Sequence, residues 1–168
     1  MNPDLFWIDG PWPGRVAVIK RPRGGDWLED EVEGWRRAGL DVIVSLLEGD
    51  ETAQFALGRE QEIAESKGVQ FISFPIPDRG VPPSTRAAIA LLSGLFEALD
   101  QGKNVAVHCR QGIGRSGLVA AGLLVASGMR VDEAIDAVSA ARGREIPETP
   151  AQLQWIRQLP AEHLAPTS

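Results

Sequence analysis

Val105-Ala106-Val107-His108-Cys109-Arg110-Gln111-Gly112-Ile113-Gly114-Arg115-Ser116-Gly117 joins an apolar, β-branched run to a glycine-containing loop and then to a helix-forming stretch. Read as strand, loop and helix, it predicts an α/β architecture with a site where the strand ends. The sole cysteine of the 168 residues stands at that end. Backbone N–H groups of the loop and of a helix starting near Gly114 or Arg115 then converge on one point, and such convergence favours anions, a thiolate as well as a phosphate. Gly112 and Gly114 permit positive φ angles and close approach of backbone to ligand. Arg115 offers two parallel N–H donors to two phosphoryl oxygens, a geometry lysine lacks. Ser116 puts a hydroxyl within reach of the sulfur.

Outward from this stretch, Val16-Ala17-Val18-Ile19, Val42-Ile43-Val44 and Val69-Gln70-Phe71-Ile72 repeat the strand pattern, and helical spacing precedes each of the later ones. The expected fold is α/β, with a central, mainly parallel sheet of four to five strands flanked by helices. Asp26 with Glu29 suggests a capped helix that carries Leu28, Val32 and Trp35 on one face and ends at Gly39. Glu51 to Lys67 reads as helical, interrupted at Gly58 and stopped at Gly68. Ala88, Leu91, Leu92, Leu95, Phe96 and Leu99 recur at three- and four-residue steps before Gly102. Leu118 to Ala126 is apolar on all sides, as a buried helix is. Val131, Ala134, Ile135 and Val138 mark another helix, and a last one is expected from about Thr149 to Leu159. No repeat or linker divides residues 1–168, so a single domain is expected.

The bulk properties narrow the partners. A net charge of −6 and a pI near 5.0 argue against extended contact with nucleic acid, although a local basic pocket stays compatible with them. One cysteine forms no internal disulfide, and Met1 to Asp9 lacks the basic and apolar regions of a secretion signal. No apolar run is long enough for a bilayer. These readings lead to the expectation of a soluble cytoplasmic protein with no membrane partner. Oligomeric state is not legible.

His-Cys, five residues, then Arg-Ser resembles the signature of the cysteine-dependent protein tyrosine phosphatases, and the small size is similar to their dual-specificity branch. The resemblance runs from roughly Val42 to Leu159. It implies that Cys109 is the nucleophile and that Arg115 binds phosphate with the loop Arg110, Gln111, Gly112, Ile113 and Gly114. Ser116 would assist departure of the sulfur, and His108 would tune the thiolate through hydrogen bonding. It also implies an aspartic acid on a loop upstream. Phe74-Pro75-Ile76-Pro77-Asp78-Arg79-Gly80 follows a predicted strand, making Asp78 the candidate general acid, with Gly80 as a hinge. Glu48, Asp50 and Glu51 are weaker alternatives, and Glu48 is instead a candidate to orient Arg115. Low-molecular-weight phosphatases reverse this order of loop and acid.

Ile146 to Gln152 resembles the Gln-Thr-x-x-Gln element of kinase-associated phosphatases, with Thr149 and Gln152 matching and Glu148 departing from it. Gln152 then positions the hydrolytic water, caps a helix or faces solvent. His108 and His163 are the only histidines and gather no ligand cluster, so neither metal nor cofactor is expected. The loop lacks the extra lysines of phosphoinositide enzymes. The chain also lacks tyrosine, leaving Trp7, Trp12 and Trp27 as candidate pocket walls. Protein phosphotyrosine, with phosphoserine or phosphothreonine beside it, is the expected substrate class. A soluble inositol or sugar phosphate and a non-catalytic phosphoprotein-binding module are the alternatives.

Overall fold

Four parallel strands set the C-terminal edge on which the site is built. The computed structural model describes residues 5–162. Its sheet runs β1-β2-β5-β3-β4, from β1 (Phe6–Ile8), β2 (Val16–Lys20), β3 (Val42–Ser45), β4 (Gln70–Ser73) and β5 (Val105–Cys109). β1 pairs antiparallel with β2, and the other three pairings are parallel. The expected mainly parallel sheet of four to five strands is therefore the observed one. β1 was not expected, because three residues carry no measurable periodicity.

Alternation along the strands divides the core. Val16, Val18, Val42, Val44, Val105, Val107 and Cys109 face a cluster that includes Leu92, Leu95, Leu99, Leu118 and Leu123. Ala17, Ile19, Ile43 and Ala106 face Leu28, Val32, Trp35 and Ile63. The first layer holds α4 (Thr85–Asp100), α5 (Gly114–Ala126), α6 (Val131–Arg142) and α7 (Pro150–Glu162), and the second holds α1 (Leu28–Arg37) and α3 (Glu60–Ser66). Every residue from Gly114 to Val125 is buried, as an all-round apolar helix requires. The loop after Cys109 thus runs directly into a fully buried helix.

Two boundaries differ from expectation. Asp26 lies inside a 3₁₀ turn, Gly25–Trp27, and makes no cap, so α1 starts at Leu28. The region after β3 splits into α2 (Gly49–Gln54) and α3, a break at Gly58 rather than one interrupted helix. Among the described residues no helix is long and apolar enough to cross a membrane. His163 lies outside the described residues.

Candidate active site

β5 ends at Cys109, which is buried, and α5 begins five residues later at Gly114. Gly112 has φ +69°, and a Cβ there would lie 2.6 Å from the Ile19 carbonyl oxygen on β2. Only glycine lets the loop pass that close to its neighbouring strand. Gly114 is required differently. Its backbone is helical, and a Cβ would press at 3.1 Å on the side chains of Gln152 and Glu148. Cys109, Arg110, Gln111, Ile113, Gly114 and Arg115 from this loop, with Asp78, Arg79 and Glu148, line a cavity of about 170 Å³.

Arg115 is the electrostatic hub, almost fully buried in the first turn of α5. Its Nη1 donates to Glu51 Oε1 at 2.7 Å and to the Ile76 carbonyl at 2.9 Å. Its Nη2 donates to Glu51 Oε2 at 2.9 Å and to Asp78 Oδ1 at 3.3 Å. Burial opposes its charge, but the Glu51 hydrogen bonds and the negative groups of Cys109, Glu51 and Asp78 hold its pKa above the ordinary value. The hydrogen bonds from Arg115 in turn lower the pKa of Glu51 against the opposing effect of burial. Arg115 is thus oriented by Glu51, not Glu48. Glu48 is the N-cap of α2, in a reciprocal capping box with Glu51. Three residues along a helix turn a side chain almost back to the same face, which is how Glu51 reaches both its cap and Arg115. Asp50 is exposed.

Asp78 reaches the same centre from beyond β4. Gly80 N–H donates to the Pro77 carbonyl at 2.8 Å, closing a turn around Asp78 and Arg79. The left-handed residue in that turn is Arg79, φ +61°, rather than Gly80. A bulky side chain there costs on the order of 1 kcal/mol. The surrounding contacts offset it. Gln152 Nε2 donates to the Gly80 carbonyl at 3.0 Å, Thr149 Oγ1 donates to the Arg79 carbonyl at 3.3 Å, and Arg79 Nη1 lies 3.6 Å from Glu148. The Asp78 side chain remains 46% exposed while it touches Arg115, so it meets both solvent and cavity.

Gln152 is fully buried, and its Oε1 accepts from the Glu148 and Thr149 N–H groups at 3.1 and 3.2 Å. It caps the start of α7 and pins the Asp78 loop at the same time. His108 sits on the opposite sheet face from Cys109. Its Nε2 pairs with Glu60 at 2.6 Å, and its ring packs near Trp35. Its Nδ1 and the Ser116 hydroxyl are both buried and meet no hydrogen-bond partner among the described residues. His108 therefore reaches Cys109 only through the strand backbone.

Three side chains at the site were not singled out for these roles by the sequence. Glu51 was one of three neighbouring carboxylates, and only the helical phase distinguishes it. Glu60, buried against His108, lies within a mostly polar helix that gives no such signal. Arg142, the last residue of α6, donates from Nε to the Gly112 carbonyl at 2.9 Å and from Nη2 to the Gln111 carbonyl at 3.1 Å. No local pattern links it to the cysteine loop. The tryptophans do not line the cavity. Trp12 is core, Trp7 lies under Arg15 on β1, and Trp27 is 55% exposed in its turn, under Arg23. A depression of about 610 Å³ beside Trp7, Trp27 and α1 contains none of the residues around Cys109.

Among the described residues no group of three or more His, Cys, Asp or Glu is placed to hold a metal ion. A model of the family described as "Polymorphic toxin system, DSP-PTPase phosphatase" matches residues 17–129. Protein tyrosine phosphatase domain-containing protein 1 of Mus musculus is 35% identical over 144 residues, covering 80% of this chain and 19% of that protein. The chain thus spans about a fifth of the length of that curated relative. Its fold superimposes on kinase-associated phosphatase bearing a serine for its catalytic site cysteine, with TM-score 0.90, 19% identity and 99% of each chain covered. Tk-PTP in its active form gives TM-score 0.80 at 31% identity over 96% of this chain and 99% of that one. The family match contains the entire loop from Cys109 to Gly117, and the likeness to Tk-PTP extends over nearly the full length; this protein belongs to the DSP-PTPase family of the protein tyrosine phosphatase superfamily.

Proposed function

We propose that residues 1–168 act as one phosphatase domain that hydrolyses phosphomonoesters, foremost protein phosphotyrosine and also phosphoserine or phosphothreonine, through a phosphocysteine and without a metal. The observation that carries this reading is the meeting of Cys109, Arg115 and Asp78 around one small cavity at the C-terminal edge of the sheet.

In the first step the Cys109 thiolate attacks phosphorus. The S–P bond forms as the P–O bond to the leaving group breaks, and Asp78, entering protonated, gives its proton to the departing oxygen. Arg115 Nε, with Nη2 exchanging Asp78 for a phosphoryl oxygen, and the loop N–H groups carry the charge on the phosphoryl oxygens. In the second step a water attacks phosphorus, Asp78 accepts its proton, and the S–P bond breaks to release inorganic phosphate and the thiolate. Ser116, whose hydroxyl has no hydrogen-bond partner among the described residues, is available to donate to the sulfur as its charge returns. Gln152 acts mainly by holding the acid loop, since its amide is already occupied by three backbone groups.

The test uses p-nitrophenyl phosphate with a chelator present. Wild-type protein should turn over, and Cys109→Ser should retain phosphate binding with no turnover. Residual turnover by Cys109→Ser would remove Cys109 as nucleophile. Binding by wild-type protein without any hydrolysis would favour the non-catalytic phosphoprotein module.

A further inference from the structure

Phe55 follows α2, and two guanidinium groups gather on its ring. Arg21, just beyond β2, places its Cζ 3.7 Å from the ring centroid, and Arg110, the residue after Cys109, places its own at 5.1 Å. The backbone holds this grouping in place. Lys20 and Cys109 are register partners on adjacent parallel strands, so Arg21 and Arg110 leave the sheet at the same level. The segment that follows is fastened to the end of α2: Gly25 N–H donates to the Ala56 carbonyl at 3.0 Å, and Gly24 lies so close to Phe55 that a Cβ would stand 1.9 Å from its carbonyl oxygen.

Charge around this ring is unbalanced. Arg110 lies 3.6 Å from Glu51 and 3.9 Å from Asp78, but both carboxylates already accept from Arg115. The Nε of Arg110 is buried and meets no hydrogen-bond partner among the described residues. Among the described residues no carboxylate comes within ion-pair distance of Arg21. Two like charges collected on one ring repel unless an anion joins them, and the ring face offsets only part of that cost. In a protein of net charge −6, an Arg21 without an ion pair among the described residues, next to an Arg110 that shares both its carboxylates with Arg115, is a place suited to receive an anionic group.

We infer that Arg21, Phe55 and Arg110 form a second anion subsite, so that the preferred substrate carries another phosphoryl group close to the one removed. Guanidinium pairs bind phosphate oxygens through parallel N–H donors, and Phe55 spaces and orients the two. The inference rests on the phosphatase reading for turnover, and Arg110 belongs to both sites. A doubly phosphorylated peptide and a soluble bisphosphate share this chemistry.

The experiment compares a phosphotyrosine peptide with the same peptide carrying an adjacent phosphoserine, and an inositol monophosphate with an inositol bisphosphate. Wild-type protein should prefer the doubly phosphorylated member of one pair by about tenfold in kcat/KM, the size of one charge-assisted contact. The pair that shows it identifies the source of the second phosphate. Arg21→Gln should erase most of the preference through KM, and 0.5 M salt should shrink it. Equal rates within both pairs, or an equal loss on both members in Arg21→Gln, would overturn the subsite. Titration of Cys109→Ser with the same ligands separates the two readings. Tighter binding of the doubly phosphorylated ligand without wild-type turnover keeps the subsite and rejects the phosphatase reading. Turnover without any preference does the reverse.

Discussion

Replacing Glu51 by Gln keeps the size of the side chain and removes its charge from beneath Arg115. Glu51 and Arg115 are joined by two hydrogen bonds of 2.7 and 2.9 Å, and both side chains are nearly inaccessible. Breaking one partner of a buried pair costs about 3–5 kcal/mol. Here the residual charge is partly met by Asp78 and the Ile76 carbonyl, and the Gln oxygen still accepts one bond, so the cost falls below that range, to about 2–3 kcal/mol. At about 2–4 °C per kcal/mol for a chain of this size, the melting temperature should fall by roughly 5–10 °C. Activity should fall further than stability. Arg115 loses the fork that fixes its plane, and a misplacement of about 1 Å in a reacting geometry costs on the order of 10²-fold in rate. The assays are thermal unfolding and kcat/KM on p-nitrophenyl phosphate. The pH dependence adds a signed check. The folded-state pKa of Glu51 is lowered, so its contribution is complete above the ordinary carboxylate value of 4.5 and is lost as pH falls through the lowered value. The gap in melting temperature between wild type and Glu51→Gln should therefore be full at neutral pH and close below 4.5. A variant that melts within 1 °C of wild type (roughly half a kcal/mol or less) and turns over within twofold would refute the reasoning.

Asp78→Ala should slow phenyl phosphate hydrolysis by about 10²-fold or more and p-nitrophenyl phosphate much less, because only the poorer leaving group needs the proton; equal losses would remove Asp78 as the acid. Arg142→Gln should weaken inhibition by inorganic phosphate about tenfold, with an unchanged dependence on leaving group. The planar trans peptide explains why: Arg142 fixes the carbonyls of Gln111 and Gly112 on one side, which aims the N–H groups of Gly112 and Ile113 to the other. Unaltered phosphate inhibition would show that the loop holds its shape without Arg142. Gln152→Met should lower stability by about 1–3 kcal/mol, since it removes the partner of two N–H groups and a carbonyl at part-buried positions, and should also steepen the leaving-group dependence by loosening the Asp78 loop. A phosphocysteine burst with unchanged stability would instead assign Gln152 to the water.

Legibility of the site followed sequence distance. The cysteine loop was readable because its strand, turn and helix are contiguous and each part has its own residue chemistry. The family resemblance implied an upstream aspartic acid, and the strand before Asp78 singled it out, since parallel strands deliver their trailing loops to one edge. Glu51 was visible only as one of a trio, because the choice between Glu48 and Glu51 depends on where α2 begins and hence on one helical turn. Arg142 and Glu60 reach the site through tertiary packing, which no local periodicity encodes. The core helices were legible from their apolar spacing, whereas β1 was too short for any pattern. Trp7, Trp12 and Trp27 show that residue type alone does not place a side chain. Their aromatic surface is used in the core, and by Arg15 and Arg23 at the surface.

The clasp between the Asp78 turn and the start of α7 has a thermodynamic consequence. Ordering a loop costs about 1–2 kcal/mol of backbone entropy per residue. Here the Arg79 and Gly80 carbonyls are already engaged by Thr149 and Gln152 before any phosphate enters. That entropy is met once, when the chain folds, and does not recur in each catalytic cycle. Rates on good substrates should consequently show little dependence on solvent viscosity, because no large sweep of the acid loop separates encounter from P–O cleavage.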